Sequence, residues 1–387
     1  MMTEESRITA MAPVVAAEVF EIEAAFVTPY KLSSGTWSHT RAVLLKLTDA
    51  DGVVGWGEAN PARPFSAESP ADAARALQEV LLPAVLAAKS PEPRGMDAAL
   101  DALLPGHLFA KGAVNMALFD LLGKRLRVPV ATLLGGALHA TLPVMWPLGN
   151  AGAEEDIRVI DQRAAQGFAS FMLKMGAAPV ADEVRRVAAL EARYGDRIAL
   201  IADANEGWSR EQASEFLEGV RGARLVFIEQ PLQKDDLEGM AALVSAGSVA
   251  ISADESVAGL AQAARIAALG AANVFSVKSS KNGGLLRAQR IAAVAEAFGI
   301  RCYINSMAEF GITQAASLQL AATLGNLVDF GHAFMSTLRL ADDPTDFSSF
   351  VREGRVRLPR GAGLGVQVDE SHVRRMAVES FRLGAQR

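Results

Sequence analysis

The 387-residue chain has a single cysteine, Cys302. A lone thiol excludes a disulfide framework within one chain and suits a reducing compartment, so the expected location is cytoplasmic. Long apolar runs are also lacking. VLLPAVLAA (80–88) is among the longest, and Lys89 follows it at once, so no segment reaches the length of a membrane span. With 38 Lys and Arg against 44 Asp and Glu, the formal net charge is −6. No basic block of the kind that neutralises phosphates accompanies that balance, which excludes nucleic acid as an expected partner. The first residues, MMTEESRITAMAPVV, are acidic and have no long apolar core after a basic start, so they do not read as a secretory signal, and the first dozen read as disordered. Histidines number five, and His39, His107, His139 and His332 offer no acid–base dyad.

What the chain has in quantity is apolar mass. Half of it is hydrophobic and 21% charged, enough for a large core divided over more than one domain. Two regimes meet near residue 140. The first has strand-like segments, VVAAEVFEIEAAF and TRAVLLKLTDADGVVGWGEA, with Asp51 and Gly52 supplying hairpin-turn chemistry, then helical periodicity from about Ala71 to Leu126. This predicts an α+β unit over 13–140. From Thr141 short apolar strands alternate with amphipathic helices: LPVMWPLG, ASFMLKMG, IALIADAN, RLVFIEQP, VAISADES, ANVFSVKSS, RCYINSMAE and LVDFGHAFM make eight strands separated by seven helices.

Nearly continuous apolar strands, each followed by a helix, predict a parallel sheet buried on both faces, and eight such units favour closure into a (β/α) barrel over 141–340. A doubly wound sheet is the runner-up, but it wants a Gly-rich first turn, which WPLGNAG matches poorly. The segment 341–387, with VREGRVRLPRGAGLGVQVDE, reads as strands and turns that return to the N-terminal unit.

Three carboxylates end three of these strands at intervals of roughly 25 residues: Asp203 in IALIADAN, Glu229 in LVFIEQP and Asp254 in VAISADES. A barrel carries its chemistry at the C-terminal strand ends, so the three read as one metal site. An all-oxygen set with no histidine or cysteine suits Mg²⁺, or alternatively Mn²⁺, better than zinc. Lys174 ends the strand before them and Lys278 the strand after, which puts two lysines around a cation. Asn205 and Glu255 stand two and one residues beyond two of the acids, where they would orient the ligands or Lys278. Lys281 reads as structural or solvent-facing, and Glu309 either as a group that orients substrate or a lysine or, equally, as one that supports the site from behind.

At this point the chain resembles the enolase superfamily in its muconate-lactonizing branch. The order Lys, Asp, Glu, Asp, Lys carries the resemblance, together with GWGEA, FMLKMG, DANEGW, IEQP, ADES, KSSKNGG, SMAEFGIT and GLGVQVDE. It implies a modified TIM barrel under an α+β capping domain, one magnesium on the three acids, and removal of the proton α to a substrate carboxylate. It also implies a homo-oligomer, a dimer or octamer. The physics agrees: such a proton is very weakly acidic, its loss makes a dianionic enediolate, and a hard cation stabilises the developing oxyanions. Lysine bases with magnesium are general for this superfamily. A lysine beside a dication loses its proton more readily and serves as a base near neutrality. Lys174 and Lys278, four strands apart in a ring of eight, should face opposite sides of the bound carbon. One removes a proton and the other returns it, or the second expels a β-leaving group.

The chain departs from its relatives at Met172, where many have the first lysine of a Lys-x-Lys pair that touches the substrate carboxylate. The last strand, VDFGHAFMSTLRL, also lacks the Asp-x-Asp pair with which dipeptide epimerases hold an ammonium. The resemblance then points to a compact cyclic amino acid, a proline or hydroxyproline derivative that is epimerised or dehydrated. Dipeptide or N-acyl amino acid epimerisation and muconate-type cycloisomerisation remain alternatives, and a non-catalytic binder of metal and carboxylate is the alternative of another class. Tyr30, Trp37 and His39 in a polar loop, with Arg63 to Phe65 after GWGEANP, fall where the family closes its site. Trp37 there would either face a substrate ammonium or simply pack in the loop.

Overall fold

The computed structural model describes residues 11–32, 35–63 and 65–384. Most of the initial segment expected to be disordered, residues 1–10, lies outside them. Met11 does not follow that expectation, because it is 2% exposed and its N–H donates to Glu92 at 3.1 Å.

The cap is an antiparallel sheet of β1 (Val14–Leu32), β2 (Gly35–Asp49) and β3 (Val54–Ala59). Its centre reads AVLLKL because both faces of β2 are covered: Val43, Leu45 and Leu47 face the helices between 70 and 126, while Ala42 and Leu44 join the core on the other face. GWGEA lies along helix Leu108–Leu126, where a Cβ on Gly57 would meet the Ala113 carbonyl at 1.9 Å and one on Gly55 the Ala117 carbonyl at 2.2 Å. The glycines of that motif permit strand and helix to touch.

After β4 (Thr141–Pro143), seven parallel strands follow in order around the curled sheet: β5 (Met145–Leu148), β6 (Ser170–Lys174), β7 (Ala199–Asp203), β8 (Leu225–Glu229), β9 (Ala250–Ala253), β10 (Val274–Val277) and β11 (Arg301–Ile304). The eighth strand expected at 327–335 does not form among the described residues. In its place residues 331–334 close the ring through a few bonds: Met145 N–H to the His332 carbonyl, His332 N–H to the Pro143 carbonyl and Ala333 N–H to the Ile304 carbonyl, all 2.9 Å. A Cβ on Gly331 would sit 2.5 Å from the Met145 nitrogen, so the approach depends on glycine.

Beyond the barrel, β12 (Val351–Arg352) pairs with β13 (Arg355–Arg357), which pairs with β4. The chain then returns to the cap, where β14 (Ala377–Gly384) adds to β1 and gives the order β14-β1-β2-β3. A short helix, Glu370–Met376, precedes it and is held by Lys46 to Glu370 at 2.8 Å and Arg374 to Glu18 at 2.7 Å. Cap and barrel also meet at Glu58, which accepts from the backbone of Phe310 at 2.8 Å and Thr313 at 2.9 Å and so caps helix Gly311–Ala321. Cys302 is buried and free, and among the described residues no helix is long and apolar enough to cross a membrane.

Candidate active site

Period-2 alternation decides which side chains enter the barrel. On β6 Met172 and Lys174 face one cavity, while Phe171 and Leu173 pack in the core. Parallel register then sets Lys174 level with Asp203 and Asp203 level with Glu229. Asp203, Glu229 and Asp254 are each at most 1% exposed.

The acids are neutralised by lysines. Lys174 Nζ donates to Asp203 and, at 2.9 Å, to Asn205 Oδ1. Lys278 Nζ donates to Asp254 Oδ2 at 2.6 Å, and Lys281 to Asp254 Oδ1 at 2.7 Å. Among the described residues no three acidic, histidine or cysteine side chains are already drawn together as a ligand set. Glu229 differs from its neighbours. Its Oε1 accepts from Asn305 at 2.5 Å and Ser276 at 2.6 Å, which leaves Oε2 buried without a partner. A buried, half-satisfied carboxylate between two lysine-paired ones fits a cation with oxygen ligands, so Asp203, Glu229 and Asp254 are the residues that could hold a metal.

The electrostatics follow from this pairing. Burial opposes charge on Lys174, but Asp203, with Tyr30 and Glu229 nearby, outweighs it and holds the amine above its ordinary value. Lys278 is likewise raised, its burial overcome by Asp254, Glu255 and Glu229. In this arrangement each ammonium serves as counter-charge to an acid. Burial, together with Asp203 and Asp254, lifts Glu229 well above the carboxylate range. Asp254, though buried, is held below it by Lys278 and Lys281.

A cavity of roughly 590 Å³, counting its mouth, opens over these groups. It brings together Tyr30, Trp37, Phe65, Met172, Lys174, Asn205 and Lys278, and adds Asn305, Ser306, Met307, Ala308, Met335 and Arg339. Trp37 packs against Phe65, ring centroids 5.6 Å apart. Tyr30 and Trp37 are not in a loop as expected: they face one another across β1 and β2, and His39 follows in β2. The hairpin simply continues after an irregularity between Ala25 and Tyr30.

Other expectations are narrowed. Of the two readings of Lys281, structural or solvent-facing, its burial favours the first, since it is 8% exposed and bound to Asp254. Asn205 meets a candidate ligand, its N–H donating to Asp203 Oδ1 at 3.0 Å; its side chain contacts Lys174 rather than Lys278 and donates to Glu255 at 3.1 Å. Burial, with Asp254 and Asp203, pushes the Glu255 carboxyl up to about 8. Glu309 does not line the cavity. It accepts from Met307 N–H at 2.7 Å and from Ser306 Oγ, bracing the loop that does. Sequence reasoning missed Ser276, Asn305 and Arg339. Ser276 had a signal, since it lies two residues before Lys278 and hence on the same strand face.

Comparison with known proteins agrees with this architecture. Residues 155–372 match a family model described as enolase C-terminal domain-like, and residues 15–135 match the mandelate racemase / muconate lactonizing enzyme N-terminal domain. Chloromuconate cycloisomerase of Cupriavidus pinatubonensis is 32% identical over 342 residues, 88% of this chain and 92% of that protein. Muconate cycloisomerase 1 of Acinetobacter baylyi is 31% identical over 370 residues, 93% and 98% of the two chains. Among solved structures, N-succinyl Arg/Lys racemase from Bacillus cereus superposes with a TM-score of 0.91 at 26% identity, covering 96% of this chain and all of that one. 2-Chloromuconate cycloisomerase from Rhodococcus opacus gives 0.89 at 30% identity, covering 95% of this chain and 100% of the other. These relatives are isomerases, and enzymes of their family generally depend on a divalent metal and act on small carboxylates. The chain is an enzyme of the enolase superfamily and belongs to the mandelate racemase / muconate lactonizing enzyme family, in its muconate-lactonizing branch.

Proposed function

We propose that this enzyme moves a proton at the carbon α to the carboxylate of a small acid, using Lys174 and Lys278 from opposite sides. The catalytic unit is 141–340, closed by the cap 13–140 and the returning segment 341–387. The observation that carries the reading is the position of the two lysines: they end strands β6 and β10, four apart, and enter one cavity from either side of the three acids.

Asp203, Glu229 and Asp254 would hold the divalent ion, for which magnesium is the choice, and when bound it supplies positive charge to the developing enediolate. Asn205 fixes the Lys174 amine by accepting from it, and Asn305 with Ser276 fixes Glu229. Trp37 and Phe65 cover the mouth with apolar surface, which limits water at the reacting carbon.

Racemisation needs both lysines, one as base and one as acid. Cycloisomerisation, the activity named for several relatives, needs one of them to protonate an enediolate. An ammonium-bearing substrate of proline type has less support, since the cavity lining carries Lys174, Lys278 and Arg339 and no Asp or Glu. The test is proton NMR in D₂O with magnesium, using N-acyl amino acids, proline derivatives and muconates. Exchange of the α-proton, or for a muconate uptake of deuterium at the α-carbon of a lactone product, is the expected result. Its absence across all three classes, with magnesium bound, would leave a metal and carboxylate binder.

A further inference from the structure

Arg339 is a cation without an acid. Its backbone is stitched to the cap, since its carbonyl accepts from Val27 N–H at 2.8 Å and the next residue, Leu340, bridges Phe26. Its side chain enters the cavity, where the guanidinium lies 4.0 Å from the centre of the Tyr30 ring and 5.4 Å from that of Phe26. Among the described residues it has no carboxylate within ion-pair reach and donates no side-chain hydrogen bond. Two aromatic faces satisfy part of its charge but none of its five donors, whose planar fork matches a carboxylate.

The rest of the lining sharpens this. Lys174 and Lys278 are balanced by Asp203 and Asp254, so Arg339 is the lining cation left without a balancing acid. Met172 offers no charge, and burial together with Arg163 nearby works against the charge on Arg339, so an anion would relieve it. Tyr30 lines the same cavity as Lys174, and its ring stacks on Arg339.

We propose that Arg339 is the receptor for a second carboxylate of the substrate. The cavity then selects dicarboxylates over monocarboxylates of the same length. This rests on the cavity being the substrate site, as argued above.

The probes are two matched pairs: N-succinyl-L-phenylalanine with N-butanoyl-L-phenylalanine, and muconate with sorbate. Each pair keeps one carboxylate and exchanges the other for a methyl group. Affinity is measured by calorimetry on the full chain with magnesium in excess, for wild type, Arg339→Gln and Arg339→Lys.

A charged, partly desolvated hydrogen-bonded pair should give wild type a preference of about ten- to a hundredfold for at least one dicarboxylate. Arg339→Gln should abolish that preference while leaving the monocarboxylate unchanged, and Arg339→Lys should restore part of it. Equal wild-type affinities within both pairs, including no binding by any member, overturn the proposal whether or not the variants fold. So does a loss in Arg339→Gln shared equally by both members of a pair, which marks a strut under Tyr30 rather than a receptor. NMR exchange on the same compounds separates the two readings. Exchange without discrimination keeps the proton-transfer reading and removes the receptor, whereas discrimination without exchange does the reverse.

Discussion

Lys278 donates to Asp254 at 2.6 Å, so the amine beside the cavity and the acid beneath it neutralise each other. Lys174 and Asp203 repeat the arrangement four strands away. Asp203 and Asp254 are thus each paired with a lysine before any cation arrives, and Glu229 Oε2 alone among the buried oxygens of the three acids has no partner.

Magnesium should therefore bind by exchange with the ammonium groups and stabilise the fold by mass action, by about 2.7 kcal/mol at a hundredfold excess over Kd. Glu229→Gln should weaken binding at least about tenfold, since an amide cannot ionise when a cation meets the oxygen that has no partner. Calorimetry with magnesium and thermal melts at graded magnesium check both. An unchanged Kd in the variant would place the metal elsewhere.

Glu58 ties cap to barrel by accepting two buried N–H groups, from Phe310 and Thr313. Glu58→Ala orphans both and should cost about 2–4 kcal/mol, and Glu58→Gln, which keeps one acceptor oxygen, about 1–2 kcal/mol. Urea denaturation measures the difference. Equal stability of the two variants would mean that the clasp is not what joins the units.

His332 closes the barrel with a neutral ring. Its Nδ1 accepts from Ile304 N–H at 3.1 Å, and burial, with His139 nearby, pulls the imidazole down to about 3. The unfolded chain takes up this proton near 6.5 and the folded chain does not. His332 thus contributes stability that is fully present above pH 6.5 and is lost as pH falls toward about 3, by about 1.4 kcal/mol per pH unit inside that window. His332→Asn keeps an acceptor for Ile304 and should flatten this part of the pH–stability curve. Parallel curves for wild type and variant would contradict it.

Much of this molecule was legible because period-2 patterning and strand-end acids report on buried parallel strands. That patterning places Asp203, Glu229, Asp254, Lys174 and Lys278 at or just past strand ends, and one cavity gathers Tyr30, Trp37, Phe65 and Met172 with the two lysines. The closing strand was misread because its apolar run, LVDFGHAFM, meets its neighbours through isolated bridges at Leu327 and His332 rather than through a ladder. Glu309 was misplaced for a related reason. The strand ends at Ile304, five residues earlier, so the acid belongs to the loop and serves its backbone. Arg339 left no local trace, since its role depends on Tyr30, about 300 positions away in the chain.

The most direct measurement of the central claim is enantiomer-resolved exchange. The α-proton of each enantiomer of an exchanging substrate is followed by NMR in D₂O for wild type, Lys174→Ala and Lys278→Ala, all with magnesium. Lysines on opposite sides require each variant to lose exchange of a different enantiomer, by about 10² to 10⁴, while the other enantiomer still exchanges. If both variants exchanged both enantiomers at the wild-type rate, the two-lysine mechanism would be wrong.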